Sequence, residues 1–281
     1  MHSLTPLPAE LVDFYDDGEH TRHFHFRLLE EPLGTSREHQ SHWQQTQTGQ
    51  FFMLTVPSLG EAPFSFTEVP DENGHFRALI RRMGAVTSAL FELEAGQVLG
   101  VRGPFGIGWP MDEISNKRIL AIGGGCGLAP LVSVVELLIE QQNYTQLTLV
   151  YGARTRQAQM LNPERERWQH IIPVYNTIED GLTNGSDNEY PGTPSDILPS
   201  VLDTFGELPE VVLLAGPEAM MYSIAEYLVA YGVSAQAIYL SIERRMHCAV
   251  GTCGHCYMDS QYACTDGPTF RWDQLQQNGA K

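Results

Sequence analysis

Four of the five cysteines crowd into one short stretch, Cys248, Cys253, Cys256 and Cys264, in the spacing C-x4-C-x2-C-x7-C. A [2Fe–2S] centre needs four thiolates, and C-x4-C-x2-C followed by a distant fourth cysteine is the plant-type ferredoxin spacing. A loop presenting three ligands needs a permissive backbone, which Gly251 and Gly254 supply. Backbone N–H groups in such a loop donate to the sulfurs and tune the metal. A structural zinc site is the alternative, but it usually pairs two C-x2-C knuckles, and here only Cys253 and Cys256 form one. A secreted disulfide framework would spread its cysteines over a small chain. Cys126 stands apart in a glycine-rich turn and reads as a small residue at a tight backbone position.

A second constellation is Gly123-Gly124-Gly125-Cys126-Gly127-Leu128-Ala129-Pro130, between a strand and a helix. Glycines let backbone approach a pyrophosphate, and the following helix end offers free N–H groups and partial positive charge. The alternative is a plain tight strand-to-helix turn. After the next strand come Arg154 and Arg156 with no acid nearby in sequence. An acid there favours NAD through the ribose, whereas arginine accepts a 2′-phosphate, so the pattern leans to NADP(H). Two exposed arginines are also compatible with a solvated loop. Gly84-Ala85-Val86-Thr87-Ser88 opens a short helical pattern to Leu93. It suits either a flavin phosphate or simple capping by Thr87 or Ser88.

Elements must hold these residues in place. His23–Leu28 alternates as a half-buried strand does, with His23 and His25 expected on its wet face and no third metal ligand beside them. Phe51–Val56, Phe76–Arg82 and Gln97–Val101 are further strand-like runs, broken by turns such as Pro57–Gly60 and Asp71–Gly74. The pattern changes after Pro110. Strands over Arg118–Ile122, Leu147–Tyr151 and Val211–Ala215 alternate with helices over Pro130–Gln142 and Glu218–Tyr231. Asp180–Pro194 reads as a surface loop. The expected fold is a β barrel over 1–112, a parallel-sheet α/β domain over 113–240, and an iron–sulfur tail over 241–281. That tail is too short for a complete ferredoxin domain, so it is expected to be a loop packed on the α/β domain.

The chain has 281 residues, enough for two domains, and a net charge of −17, which repels phosphate backbones and argues against nucleic-acid binding. Runs such as Leu131–Ile139 are too short to span a bilayer. Met1–Pro6 lacks the basic-then-apolar pattern of a secretory leader, so the expected location is the cytoplasm.

Taken together, these motifs resemble the ferredoxin–NADP reductase superfamily, and within it the FAD- and [2Fe–2S]-carrying reductase subunits. The resemblance is greatest to the gamma subunit of cytoplasmic NAD(P)-linked [NiFe] hydrogenases, and extends to the electron-transfer subunit of dihydroorotate dehydrogenase. It runs from about Gly49 to Phe270, and its most specific part is Glu243-Arg244-Arg245-Met246-His247-Cys248 through Gly254-His255-Cys256 to Cys264-Thr265-Asp266-Gly267-Pro268. The resemblance implies flavin contacts from Pro63, Phe64 and Ser65, with Ala62 standing where the family has an arginine, and from Gly84, Val86, Thr87 and Ser88. It implies nucleotide contacts from Gly123, Gly124, Gly125 and Gly127, and from Gly216, Pro217 and Glu218, with Ala215 replacing the family's cysteine. Gly103–Pro110 looks more like the hydrogenase subunits. The implied activity is electron transfer between NAD(P)(H), FAD and the cluster, and on to iron–sulfur and catalytic subunits of a hydrogenase-type complex. Dihydroorotate dehydrogenase or sulfite reductase are alternative complexes, and a zinc-stabilised regulatory module is an alternative of another class. Glu243 is the candidate to face the nicotinamide, or else to pair with Arg244 or Arg245.

Overall fold

The structure, a computed structural model, describes residues 5–29, 42–181, 188–258 and 260–277. The chain divides into two compact units. The first comprises 1–16, 20–109 and 243–268; the second comprises 17–19, 110–242 and 269–281.

The first unit is built on strands β1 (Leu7–Asp16), β2 (Thr21–Leu28), β3 (Phe51–Val56), β4 (Gly60–Ser65), β5 (His75–Arg81) and β6 (Val98–Phe105), with helix α1 (Ala85–Leu90). They form one antiparallel sheet in the order β4-β3-β6-β1-β2-β5, whose end strands β4 and β5 approach each other as the sheet curls. Its interior is aromatic: Phe24, Phe26, Phe52, Phe66 and Phe76 are fully buried, and the Phe52 and Phe66 rings lie 4.8 Å apart. Each such side chain contributes about 1.5–3 kcal/mol through burial. Two strands escape a reading of sequence alone. In β1 a register shift between Leu11 and Asp13 interrupts the alternation. In β4 Pro63 argues against a strand, yet β4 is the sheet's edge, where a missing N–H is tolerated. His23 is also not on a wet face. It is buried, with Tyr15 Oη 2.7 Å from Nδ1 and Thr67 Oγ1 2.7 Å from Nε2.

The second unit contains β7 (Arg118–Gly124), a 3-10 turn over Gly125–Leu128, α3 (Ala129–Gln141), β8 (Gln146–Ala153), α4 (Asn162–Trp168), β9 (Val174–Ile178), β10 (Glu189–Pro191), α5 (Pro194–Phe205), β11 (Val211–Ala215), α6 (Glu218–Tyr231), β12 (Ile238–Ser241), β15 (Thr269–Arg271) and α7 (Trp272–Gln277), with the short α2 (Met111–Ile114) leading in. The sheet order is β10-β9-β8-β7-β11-β12-β15, parallel except for β15, which runs antiparallel to β12. The chain steps outward from β7 in one direction, then returns to β11 on β7's other side. That reversal is the switch point where open α/β sheets bind ligands, beyond the strands' carboxyl ends. β10 falls inside the expected surface loop, of which residues 182–187 lie outside the described residues. The stretch Met1–Pro6, read as lacking a secretory leader pattern, likewise falls partly outside the described residues.

The cysteine segment departs from expectation. It was expected on the α/β domain, but residues 243–268 belong to the barrel unit, and only the chain from Thr269 onward joins the parallel sheet. Among the described residues no helix is long and apolar enough to cross a membrane.

Candidate functional site

The cysteine segment folds around its sulfurs. Strands β13 (Tyr257–Met258) and β14 (Gln261–Tyr262) form a two-stranded hairpin that turns the chain back after Cys256. Ala263 N–H then bonds to the Cys256 carbonyl at 3.0 Å, and the Cys256 and Cys264 sulfurs come within 3.2 Å, both buried. Upstream, Ala249, Gly251 and Gly254 take positive φ, curling the backbone around Cys248. The N–H groups of Val250, Thr252 and Cys253 each lie 3.4 Å from the Cys248 sulfur, and Gly251 N–H lies 3.2 Å from that of Cys264. Burial opposes ionisation of Cys248, but hydrogen bonding from Thr252, Val250 and Cys253 outweighs it and brings the thiol down to about 6. At Cys264 burial, reinforced by the Cys256 thiol, pushes the value up to about 12. A sulfur-only donor set with amide N–H groups aimed at two of its sulfurs fits an iron–sulfur cluster. Cys253 is exposed at the tip of the loop.

In the same unit, Pro63, Phe64 and Ser65 lie half-buried on edge strand β4. Helix α1 comes close to that strand: a side chain at Gly60 would sit 3.8 Å from Val86 Cγ2. Gly84 is the exposed N-cap of α1 and Ser88 is half-buried. The Thr87 hydroxyl accepts from the N–H groups of Met83 and Gly84, both at 2.9 Å, so it closes the turn as a cap. Ala62 pairs with Leu54 and Arg102 pairs with Met53, so these two positions point to opposite faces of the sheet. Arg102 therefore does not replace the arginine absent at Ala62. The exposed cations nearest the turn in sequence are Arg81 and Arg82, and Arg82 pairs with Glu92 at 3.1 Å.

In the parallel-sheet unit, the two glycine turns meet at the switch point. A Cβ on Gly127 would lie 2.3 Å from Gly216 Cα, and one on Gly124 would lie 3.0 Å from Pro217 Cδ. Gly125 takes φ +55° and has open space beside it. Gly123, at the end of β7, pairs with Ala215 at the end of β11. The backbone is thus packed closely behind the turn and bare in front of it, a cradle that fits a dinucleotide's pyrophosphate. Glu218, in the first turn of α6, is held by Tyr222 Oη at 2.7 Å.

Two placements differ from what the sequence suggested. Acids do reach the arginines: Asp180, just beyond β9, bonds Arg154 at 3.0 Å, and Glu189 on β10 bonds Arg156 at 2.7 Å. Neighbouring strands of a parallel sheet bring these residues together across long sequence separations. Glu243 lies two residues past β12 and is exposed. Arg244 donates to the Glu243 carbonyl at 2.9 Å. A group the sequence did not mark is Arg102, which is 5% exposed and lies beneath the cysteine loop. Its only sequence signal is a charge within the otherwise uncharged run Val98–Phe105.

Comparison with known proteins agrees with this layout. The oxidoreductase FAD-binding domain matches residues 18–108, the oxidoreductase NAD-binding domain 121–226, and the iron–sulfur cluster binding domain of dihydroorotate dehydrogenase B 243–276. Sulfhydrogenase 1 subunit gamma of Pyrococcus furiosus is 33% identical over 231 residues, covering 80% of this chain and 78% of that one. The probable dihydroorotate dehydrogenase B electron transfer subunit of Methanopyrus kandleri is 31% identical, covering 98% and 94%. An NADH-dependent reduced ferredoxin–NADP oxidoreductase structure shares the fold with a TM-score of 0.73 at 24% identity, over 96% of this chain and 91% of that one. These matches, laid over a curled antiparallel sheet, a glycine cradle at a parallel-sheet switch point and a four-thiol loop, make this chain a member of the oxidoreductase family of FAD-, NAD- and iron–sulfur-binding electron-transfer subunits that includes the sulfhydrogenase gamma and dihydroorotate dehydrogenase B subunits.

Proposed function

We propose that this chain is the diaphorase subunit of a cytoplasmic NAD(P)-linked [NiFe] hydrogenase complex, with a [2Fe–2S] centre held by Cys248, Cys253, Cys256 and Cys264. The observation that carries the reading is the thiol loop itself, which belongs to the same compact unit as the flavin strand β4. Pro63, Phe64, Ser65 and the Gly84–Ser88 turn would hold FAD. Gly123–Gly127 and Gly216–Glu218 would hold the nicotinamide nucleotide. A bound flavin takes two electrons as hydride and releases them singly, which joins a nicotinamide to a one-electron cluster. The chain's own contribution is placement and electrostatics: bare backbone at the pyrophosphate and N–H groups on the sulfurs. Exposed Cys253, His247 and His255 form the side of the loop on which a partner iron–sulfur subunit would dock, the two imidazole rings 4.2 Å apart. Four clustered thiols also suit a reducing compartment.

Service to a dihydroorotate dehydrogenase is the second reading, favoured by a relative matching nearly the whole chain. Anaerobic affinity purification from the native cell separates the two. Co-purification of hydrogenase subunits, with flavin bands and about two irons per chain, supports the first; recovery of a pyrimidine enzyme overturns it.

A further inference from the structure

We propose that strand β6 is a clamp that pre-forms the cluster loop, with Arg102 as its positioning residue. This rests on the reading that the four cysteines hold the iron–sulfur centre. The Arg102 guanidinium is buried, and all its mapped partners lie in one unit. Nε donates to Glu61 Oε1 at 2.9 Å and Nη2 to Glu61 Oε2 at 2.5 Å. The other side of the fork reaches the cysteine segment: Nη1 donates to the Cys248 carbonyl at 3.3 Å and Nη2 to that of His247 at 3.5 Å. Glu61 is held in turn by Thr55 Oγ1 at 2.6 Å. Arg102 thereby ties the first ligand's backbone to β4, one residue before the Ala62–Ser65 flavin stretch.

The same strand also holds the far end of the loop. Just beyond β6, Ile107 N–H donates to the Gly267 carbonyl at 2.5 Å, and a Cβ on Gly106 would lie 2.6 Å from Pro268 Cδ. Segment 247–268 is therefore gripped at both ends by residues 102–107, while its middle carries the remaining thiols. Only a planar fork can hold a carboxylate and two carbonyls at once, so lysine is no substitute here. A fixed cation and a fixed anion beside the loop also set the local potential that an added electron meets.

The test uses the reconstituted full chain and the variants Arg102→Lys, Glu61→Gln and Gly106→Ala. The readouts are iron loss to a chelator, FAD content, the EPR spectrum of the reduced cluster and its midpoint potential. The clamp predicts iron loss about 10- to 100-fold faster for Arg102→Lys and Gly106→Ala, a broadened EPR signal and retained FAD. It predicts an upward shift in potential for Glu61→Gln, since removing a nearby negative charge favours the reduced cluster. Wild-type iron retention and spectra in all three variants would overturn the clamp. So would parallel loss of FAD, iron and thermal stability, which would mark Arg102 as a general barrel residue. A wild-type chain that takes up no iron on reconstitution overturns the cluster reading and the clamp with it.

Discussion

Cys248 and Cys264 show how one loop treats chemically identical thiols differently: the first is lowered by three N–H donors, the second raised by burial beside Cys256. Both belong to the proposed ligand set, so Cys248→Ser should cut iron retention by at least about tenfold while leaving flavin bound, as iron and flavin assays on the same preparation would show. The ligand set is readable from spacing alone because cluster chemistry demands thiolates in a short loop. The surroundings of Arg154 and Arg156 are not readable that way. They look free of acids in sequence, yet Asp180 and Glu189 reach them. If these arginines take the 2′-phosphate, Arg154→Ala with Arg156→Ala should weaken NADPH use about tenfold more than NADH use, the scale of one charge-assisted hydrogen bond worth roughly 1.5 kcal/mol. Asp180→Asn should shift preference toward NADPH. Steady-state kinetics with both nucleotides decides it, and equal losses would remove the 2′-phosphate role.

At the scale of elements, the glycine turn after β7 is limited by what packs behind it. Gly127→Ala would drive a methyl into the Gly216 backbone. It should destabilise the parallel-sheet unit by about 1–3 kcal/mol and weaken nucleotide binding while flavin stays bound, measured by thermal melting and nucleotide titration of the flavin absorbance. Helix α5 illustrates a pH-dependent element. Its first-turn Asp196 accepts from the N–H and hydroxyl of Thr193, each at 2.7 Å. The Thr193 N–H, then its hydroxyl, hold the carboxyl below its usual value. Stability from this pair is present above the ordinary carboxylate pKa and is lost as pH falls through the folded value. Asp196→Ala should therefore cost about 0.5 kcal/mol at neutral pH, the scale of an exposed carboxylate in a helix's first turn, and nothing in strong acid. Urea melts at both pH values test the sign.

For the whole molecule, the division into units makes a prediction about metal removal. The loop belongs with the barrel strands, so chelating the iron should remove stability from that unit, because binding free energy there is folding free energy. Hydrogen exchange should show faster exchange in β6 and 247–256, with β7, β8 and β11 unchanged. Uniform loss of protection across both sheets would contradict the assignment of the loop to the barrel unit.

What the sequence by itself determined are the features that local chemistry dictates: the thiol spacing, the strand–glycine–helix turn at Gly123–Pro130, and the buried strands Phe51–Val56 and Val211–Ala215, which β3 and β11 match residue for residue. Tertiary structure alone decided what depends on distant partners. Edge position lets β4 carry Pro63, and a bulge hides β1. Pairing across the sheet sets Asp180 and Glu189 against the two arginines. Residues 102–107 grip the cysteine loop from more than a hundred positions away in sequence. Hydrogen bonds and packing between remote residues leave no periodic trace in a chain, and so they appear only when it is folded.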